Sequence, residues 1–171
     1  MNNAFWQRLD RAARHVAPFV ITVMLVVLNA IPLPVPDYRS IVPLIPLMAI
    51  YYWALYRPDL MPIGAVFLVG ILEDVLTGAP LGLNALLFLL VHSLIRSRSR
   101  MIAGKGFAVV WIVFMLVLLG AGIVSWLVAS LLYDAPIRMA PAVTQLMLTL
   151  VLYPCLAWLL IRVQRAFLAN A

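Results

Sequence analysis

Two adjacent carboxylates, Glu73 and Asp74, close an otherwise uncharged apolar stretch, Gly70-Ile71-Leu72-Glu73-Asp74-Val75-Leu76. A turn-rich run follows directly: Thr77-Gly78-Ala79-Pro80-Leu81-Gly82-Leu83-Asn84. Acids in such a setting can hold a proton, pair with a cation, or accept backbone N–H groups. At a bilayer centre an acid costs roughly 2.5–3.5 kcal/mol on insertion scales, and less toward the interface. A carboxylate near a helix C-terminus also opposes the macrodipole, by roughly 0.3–1 kcal/mol. Two offsets are available. Arg39 and Arg138 are the basic residues that fall on the same side of the chain's apolar runs. Alternatively, the Gly78–Gly82 turn can aim N–H groups back at a carboxylate, because glycine adopts the tight conformations this needs. Neighbouring helical residues point about 100° apart, so the spacing predicts different environments for Glu73 and Asp74, one inward and one toward headgroups. Asn84, at the start of the next apolar run, is a natural N-cap. An interfacial turn with solvated acids explains these residues, and so does a functional site, the default meaning of an acid within a membrane.

Other reactive side chains are few. There is no His-Glu-x-x-His zinc helix and no Gly-x-Ser-x-Gly nucleophile elbow. Ser125 lies in Gly-Ile-Val-Ser-Trp without a base nearby in sequence. His92 and Asp74 fall toward opposite ends of neighbouring runs, and both His92 and His15 read as interfacial. The single cysteine, Cys155, sits in an apolar run, which excludes an intramolecular disulfide and a multi-cysteine metal site. It reads as a small buried apolar side chain. Neither a catalytic centre nor a metal or cofactor is expected.

The elements that must carry these residues belong to lipid. Of the 171 residues, 66% are hydrophobic and 11% charged, against roughly 25% charged in a soluble domain. The mean hydropathy is +1.10. Crossing a hydrocarbon core of about 30 Å takes about 20 apolar residues. Six runs approach that length: 16–35, 40–56, 60–76, 83–95, 107–133 and 141–161. The fold class expected is therefore all-α integral membrane, one polytopic domain spanning 1–171 with about six transmembrane helices. The run 83–95 is short enough to leave a full crossing open.

Charge gives the orientation. With the N-terminus in the cytoplasm, Arg8, Arg11, Arg14, Arg57, Arg96, Arg98, Arg100, Lys105, Arg162 and Arg165 fall inside, and Arg39 and Arg138 outside. That is the asymmetry the positive-inside rule asks for, and it places both termini in the cytoplasm. The net charge of +6 thus marks membrane edges, not a nucleic-acid stripe with interleaved aromatics. The first run is too long for a signal-peptide core, and Leu28-Asn29-Ala30 is a poor cleavage site. Loops are short, the longest, Arg96 to Gly106, having about ten residues. Pro43, Pro46, Pro62 and Pro154 lie within or near the starts of runs, where each deleted N–H needs a neighbour to restore satisfaction. Ala121, Ser125 and Ala129 recur every four residues, a spacing that lets helices approach within the bundle or against a partner.

The segment Gly70-x-x-x-Asp74, then Gly78-x-Pro80-Leu81-Gly82-x-Asn84-Ala85-Leu86, resembles the characteristic segment of the MreD family of bacterial rod shape-determining proteins. There an apolar helix runs into an acidic residue, a Gly-x-x-x-Gly turn and a new helix. Glu73 is an acid additional to that pattern, so either carboxylate can be the one that matters. Outside this segment the similarity is of layout: a short chain, basic cytoplasmic edges, few loops. What the resemblance implies is an inner-membrane protein needed for rod shape, paired with the single-span periplasmic protein MreC. Through MreC it would reach the glycan polymerase RodA, its transpeptidase and the MreB filament. It also implies a fold similar to the substrate-capture subunits of energy-coupling-factor transporters.

Two function classes remain beside an intramembrane enzyme. A non-catalytic scaffold suits the lack of loops and reactive clusters, with Arg96, Arg98 and Arg100 offering a cytoplasmic contact or an anchor to anionic lipid at about 1 kcal/mol per basic residue. A small-molecule capture subunit needs polar groups converging between spans, whereas Thr22, Asn29, Glu73, Asp74, Asn84, His92, Thr144 and Gln145 are spread along the chain.

Overall fold

A computed structural model describes residues 3–31, 42–132 and 139–168. Among them are six helices and no strand: α1 (Asn3–Asn29), α2 (Ile45–Tyr56), α3 (Ile63–Thr77), α4 (Leu83–Ala103), α5 (Phe107–Leu132) and α6 (Met139–Leu168). The all-α expectation holds.

The shortest helix is the centre. α2 is apolar on every side, and each residue from Pro46 to Leu55 is buried, as expected of a helix without a polar face. α1, α4 and α6 pack around it, α3 lies on α4 and α1, and α5 bridges α4 and α6. Two tyrosine hydroxyls of this core are anchored to neighbours, while Trp53 Nε1 and the Tyr153 hydroxyl have no partner among the described residues. Tyr51 donates its hydroxyl to the Val110 carbonyl at 2.9 Å, and Tyr52 to Gln164 Oε1 at 2.7 Å. Tyr51 meets Phe114 and Tyr153 edge-on at 5.1 and 5.6 Å, while Phe114 and Tyr153 stack at 4.1 Å. These rings tie α2 to α5 and α6.

α5 and α6 are each long and apolar enough to cross a membrane. The core helix of a soluble protein can pass that test, but it is mostly buried. Here Ile112, Leu116, Leu119, Ile123 and Leu127 of α5 and Met147, Val151, Trp158 and Leu159 of α6 face outward. Apolar surface of that extent marks contact with lipid or protein.

The prolines find the partners they require. Pro46 falls in the first turn of α2 and Pro62 at the N-cap of α3, where the missing N–H costs nothing. Pro154 lies inside α6 and frees the Leu150 carbonyl one turn earlier. Trp111 of α5 donates its indole N–H to that carbonyl at 3.2 Å. Trp111→Phe is therefore expected to lower stability by about 0.6–1.7 kcal/mol, the scale of interhelical hydrogen bonds in membranes, in thermal melts in detergent. In a Pro154→Ala background the same change should cost less, because the restored N–H at position 154 takes up the carbonyl.

Several boundaries differ from the sequence expectation. The segment Arg96 to Gly106 is not a ten-residue loop: α4 continues to Ala103, leaving a connection of Gly104-Lys105-Gly106. Ile95, Ser99 and Ile102 are buried at helical spacing, so one face carries on beneath the charges that mimic a loop. The 21 residues of α4 reach about 31 Å at 1.5 Å per residue, the length of a full crossing. α1 begins at Asn3, well before residue 16, and carries Arg8, Arg11 and Arg14 on the helix. α2 starts at Ile45 and α3 at Ile63, after the expected 40 and 60, while α6 runs from Met139 to Leu168, beyond 141–161 on both sides.

Candidate functional site

α3 and α4 form an antiparallel hairpin that crosses closely because one position lacks a side chain. A Cβ on Gly70 would collide with the Ala85 backbone, lying 2.7 Å from its nitrogen and against its Cα. One turn further, Asp74 is fully buried and both of its carboxylate oxygens are used. The Gly82 N–H donates to Oδ2 at 2.8 Å and the Asn84 N–H to Oδ1 at 3.0 Å. The first N–H groups of a helix have no partner within it and form the positive end of its dipole. A carboxylate from α3 thus supplies the cap that α4 lacks in its own sequence, since Gly82 stands at the N-cap.

The glycines make this geometry reachable. Gly78 ends α3 in the left-handed region, φ 70°, its N–H bonded to the Asp74 carbonyl, a common helix stop. Gly82 has φ 96° and ψ −11°, and the Leu83 N–H donates to the Pro80 carbonyl at 3.1 Å, as at the third residue of a type II turn. Asn84 does not cap α4 with its side chain: the helix begins at Leu83, so Asn84 lies inside the first turn and contributes its backbone N–H.

Glu73 is not turned toward headgroups. It is 5% exposed, so both acids are buried although they point in different directions. Glu73 faces a pocket of about 220 Å³ where the ends of α1, α3, α4 and α6 meet the start of α2. Asn29, Thr77, Asn84 and Gln145 line it with Glu73. The Asn29 side chain is within hydrogen-bonding reach of the Glu73 carboxylate, while Glu73 Oε2 has no partner among the described residues. Gln145 donates its amide to the Val42 carbonyl at 2.7 Å, and Thr77 its hydroxyl to the Glu73 carbonyl at 2.7 Å. Five polar residues that sequence scatters over four helices are therefore brought together. A signal existed: all five lie toward the same membrane face in the runs oriented by charge.

The remaining candidates separate. Arg39 and Arg138, the proposed ion-pair partners, lie outside the described residues. Arg96, Arg98 and Arg100 are exposed on the last turns of α4; Arg98 points away from the other two at 100° per residue and lines the end of an apolar groove between α4 and α5. His92 is fully buried, not interfacial; its ring approaches the Met61 backbone, yet neither nitrogen meets hydrogen-bond geometry. Cys155 is exposed, not buried. No cluster of three His, Cys, Asp or Glu side chains occurs among the described residues.

A family model described as rod shape-determining protein MreD matches residues 10–163. The chain belongs to the MreD family. No curated protein and no solved structure compared with it matches significantly. The family is a membrane-associated, rod shape-determining one, which accords with the outward-facing apolar helices α5 and α6. The match takes in the whole hairpin from Gly70 to Leu86, so the Asp74 lock described above lies within the MreD part of the chain.

Proposed function

We propose that this chain is a non-catalytic, multi-pass component of the bacterial inner membrane that maintains rod shape by holding an MreC-like single-span protein. Through it the chain helps organise peptidoglycan synthesis, in reach of RodA, its transpeptidase and MreB. The family match over residues 10–163 carries this reading. On it the six helices cross the membrane as one domain with both termini in the cytoplasm, the layout of a transporter capture subunit put to use in assembly. The Asp74-locked end then faces outward, and Arg96 and Arg100 lie among cytoplasmic anionic headgroups.

The groove between α4 and α5 is the surface suited to a partner's transmembrane helix. It encloses about 600 Å³ and is lined by residues including Leu87, Leu94, Ile102, Val113, Gly120 and Ala121. Along α4, Leu87 to Ile102 spans about 22 Å, most of the hydrocarbon thickness. Small residues let helix backbones approach in lipid, and a Cβ on Gly120 would meet nothing within 4 Å. Affinity purification from membranes should recover a single-span protein with a large domain outside the cytoplasm. Gly120→Leu, whose Cβ enters open space and whose side chain adds bulk at the groove, should reduce that recovery at unchanged melting temperature. Recovery of an ATP-driven transporter alone, from either form, would overturn the reading.

A further inference from the structure

The pocket around Glu73 has no role in locking the hairpin, since both Asp74 oxygens are spent on Gly82 and Asn84. It nevertheless holds a carboxylate that is 5% exposed and whose Oε2 has no hydrogen-bond partner among the described residues. A buried acid without a full set of donors is unfavourable, and here the open side of that acid faces a cavity. We propose that this pocket binds a small primary ammonium group entering from the end of the bundle that carries Asn29, Glu73, Asn84 and Gln145.

The lining chooses the chemistry. Gln145 spends one amide N–H on the Val42 carbonyl and has its side-chain carbonyl oxygen, beside its second N–H, to offer a ligand. Asn29, whose side chain lies within hydrogen-bonding reach of the Glu73 carboxylate, also carries a carbonyl oxygen, which a carboxylate cannot occupy. Together with Glu73 Oε2 these are acceptors, and a primary ammonium brings three donors and no acceptor. The charge matches as well: the Asp74 carboxylate is held by the Gly82 and Asn84 N–H groups at the positive end of α4, and Glu73 is the acid left facing the pocket. The pocket's roughly 220 Å³ is below the range of about 300–1,000 Å³ usual for drug-sized ligands and equals about seven waters at about 30 Å³ each. That is room for an amino headgroup or a small amine, more than a bare ion fills and less than a vitamin needs. No three His, Cys, Asp or Glu side chains cluster among the described residues, so the pocket lacks the ligand set of a transition-metal site. Ethanolamine-type ammonium can arrive as a phospholipid headgroup or as a free solute, and the site recognises the same atoms in both. This inference does not depend on the chain's place in the rod-shape complex.

The test uses the full chain purified in detergent and reconstituted in nanodiscs. Free ethanolamine, choline and sodium chloride at matched ionic strength are titrated against the thermal melt, and phosphatidylethanolamine discs are compared with phosphatidylcholine discs. Ethanolamine or phosphatidylethanolamine should raise the melting temperature, and the quaternary ammonium forms, which cannot donate, should not. A response to lipid alone assigns the headgroup as the source, a response to free amine alone assigns the solute, and either supports the site. Glu73→Gln should weaken the apparent affinity roughly tenfold to a hundredfold, the scale of one charge-assisted hydrogen bond. Asn84→Ala, which leaves the backbone cap of α4 in place, should weaken it less and keeps the test open if the first variant misfolds. An equal response to choline or sodium, no response at all, or a response unchanged in both variants would overturn the proposal. So would cross-linking of Glu73 to a partner lysine without any response to amines.

Discussion

Asp74→Asn is expected to lower the stability of the purified chain by about 2–3 kcal/mol. The substitution is nearly isosteric, so packing hardly changes. What changes is that one of the two oxygens becomes an amide that must face either the Gly82 or the Asn84 N–H, donor against donor. An unsatisfied buried donor costs about 1–3 kcal/mol, and the loss of charge removes the favourable interaction with the α4 dipole, worth up to about 1 kcal/mol more. At about 2–4 °C per kcal/mol for a chain of this size, the melting temperature falls by roughly 5–10 °C. Glu73→Gln is the contrasting case. It neutralises a carboxylate whose Oε2 has no partner among the described residues, so its melting temperature should stay level or rise. Either neutralisation is expected to weaken function or complex assembly more than Arg39→Lys does, as measured by recovery of the partner from membranes. Equal destabilisation by the two variants would show that the acids are not divided in this way.

Gly70→Ala should be the most damaging single methyl group in the hairpin. The added Cβ meets the backbone of Ala85, not the end of a flexible side chain, so relief requires α3 and α4 to move apart. Overpacking costs typically about 1–3 kcal/mol and occasionally more; a backbone obstacle places this case at or above the top of that range. Separation of the helices also lengthens the hydrogen bonds from Gly82 and Asn84 to Asp74, so the losses compound. Gly64→Ala on the same helix is the control. Its Cβ would meet nothing within 4 Å, and alanine favours a helix interior by up to about 1 kcal/mol over glycine. Size-exclusion and melting profiles in detergent should show Gly64→Ala folded and Gly70→Ala depleted or strongly destabilised. A Gly70→Ala protein as stable as the wild type would mean the crossing is looser than described.

The contrast between those two glycines shows where sequence reasoning reaches its limit. Composition and apolar run length were enough for the helical class, because hydropathy reports a bulk property that survives errors of a few residues at each boundary. The turn after Asp74 was legible in outline, since Pro80 fixes its own φ and Gly78 and Gly82 permit the left-handed conformations a tight reversal needs. What spacing does not carry is which atoms meet across the turn. Asn84 has the side chain of a cap, yet Asp74, ten residues earlier, takes that place because the reversal of the chain brings it there. Arg96 to Arg100 looked like a loop because charge dominates the eye, while Ile95, Ser99 and Ile102 keep the helix buried on one face. The pocket was missed for a different reason. Asn29, Glu73, Asn84 and Gln145 come from four helices; orientation by charge puts them toward one membrane face, but packing decides that they meet.

All of these features serve a chain whose family membership points to cell shape. The most direct measurement is depletion of the protein from its own cells, followed by microscopy of cell width and length over several generations. The account predicts that rods widen and round up, and that re-expression of the wild-type chain, recovered in the membrane fraction, restores them. Cells that keep dividing as rods of unchanged width without the protein would contradict it.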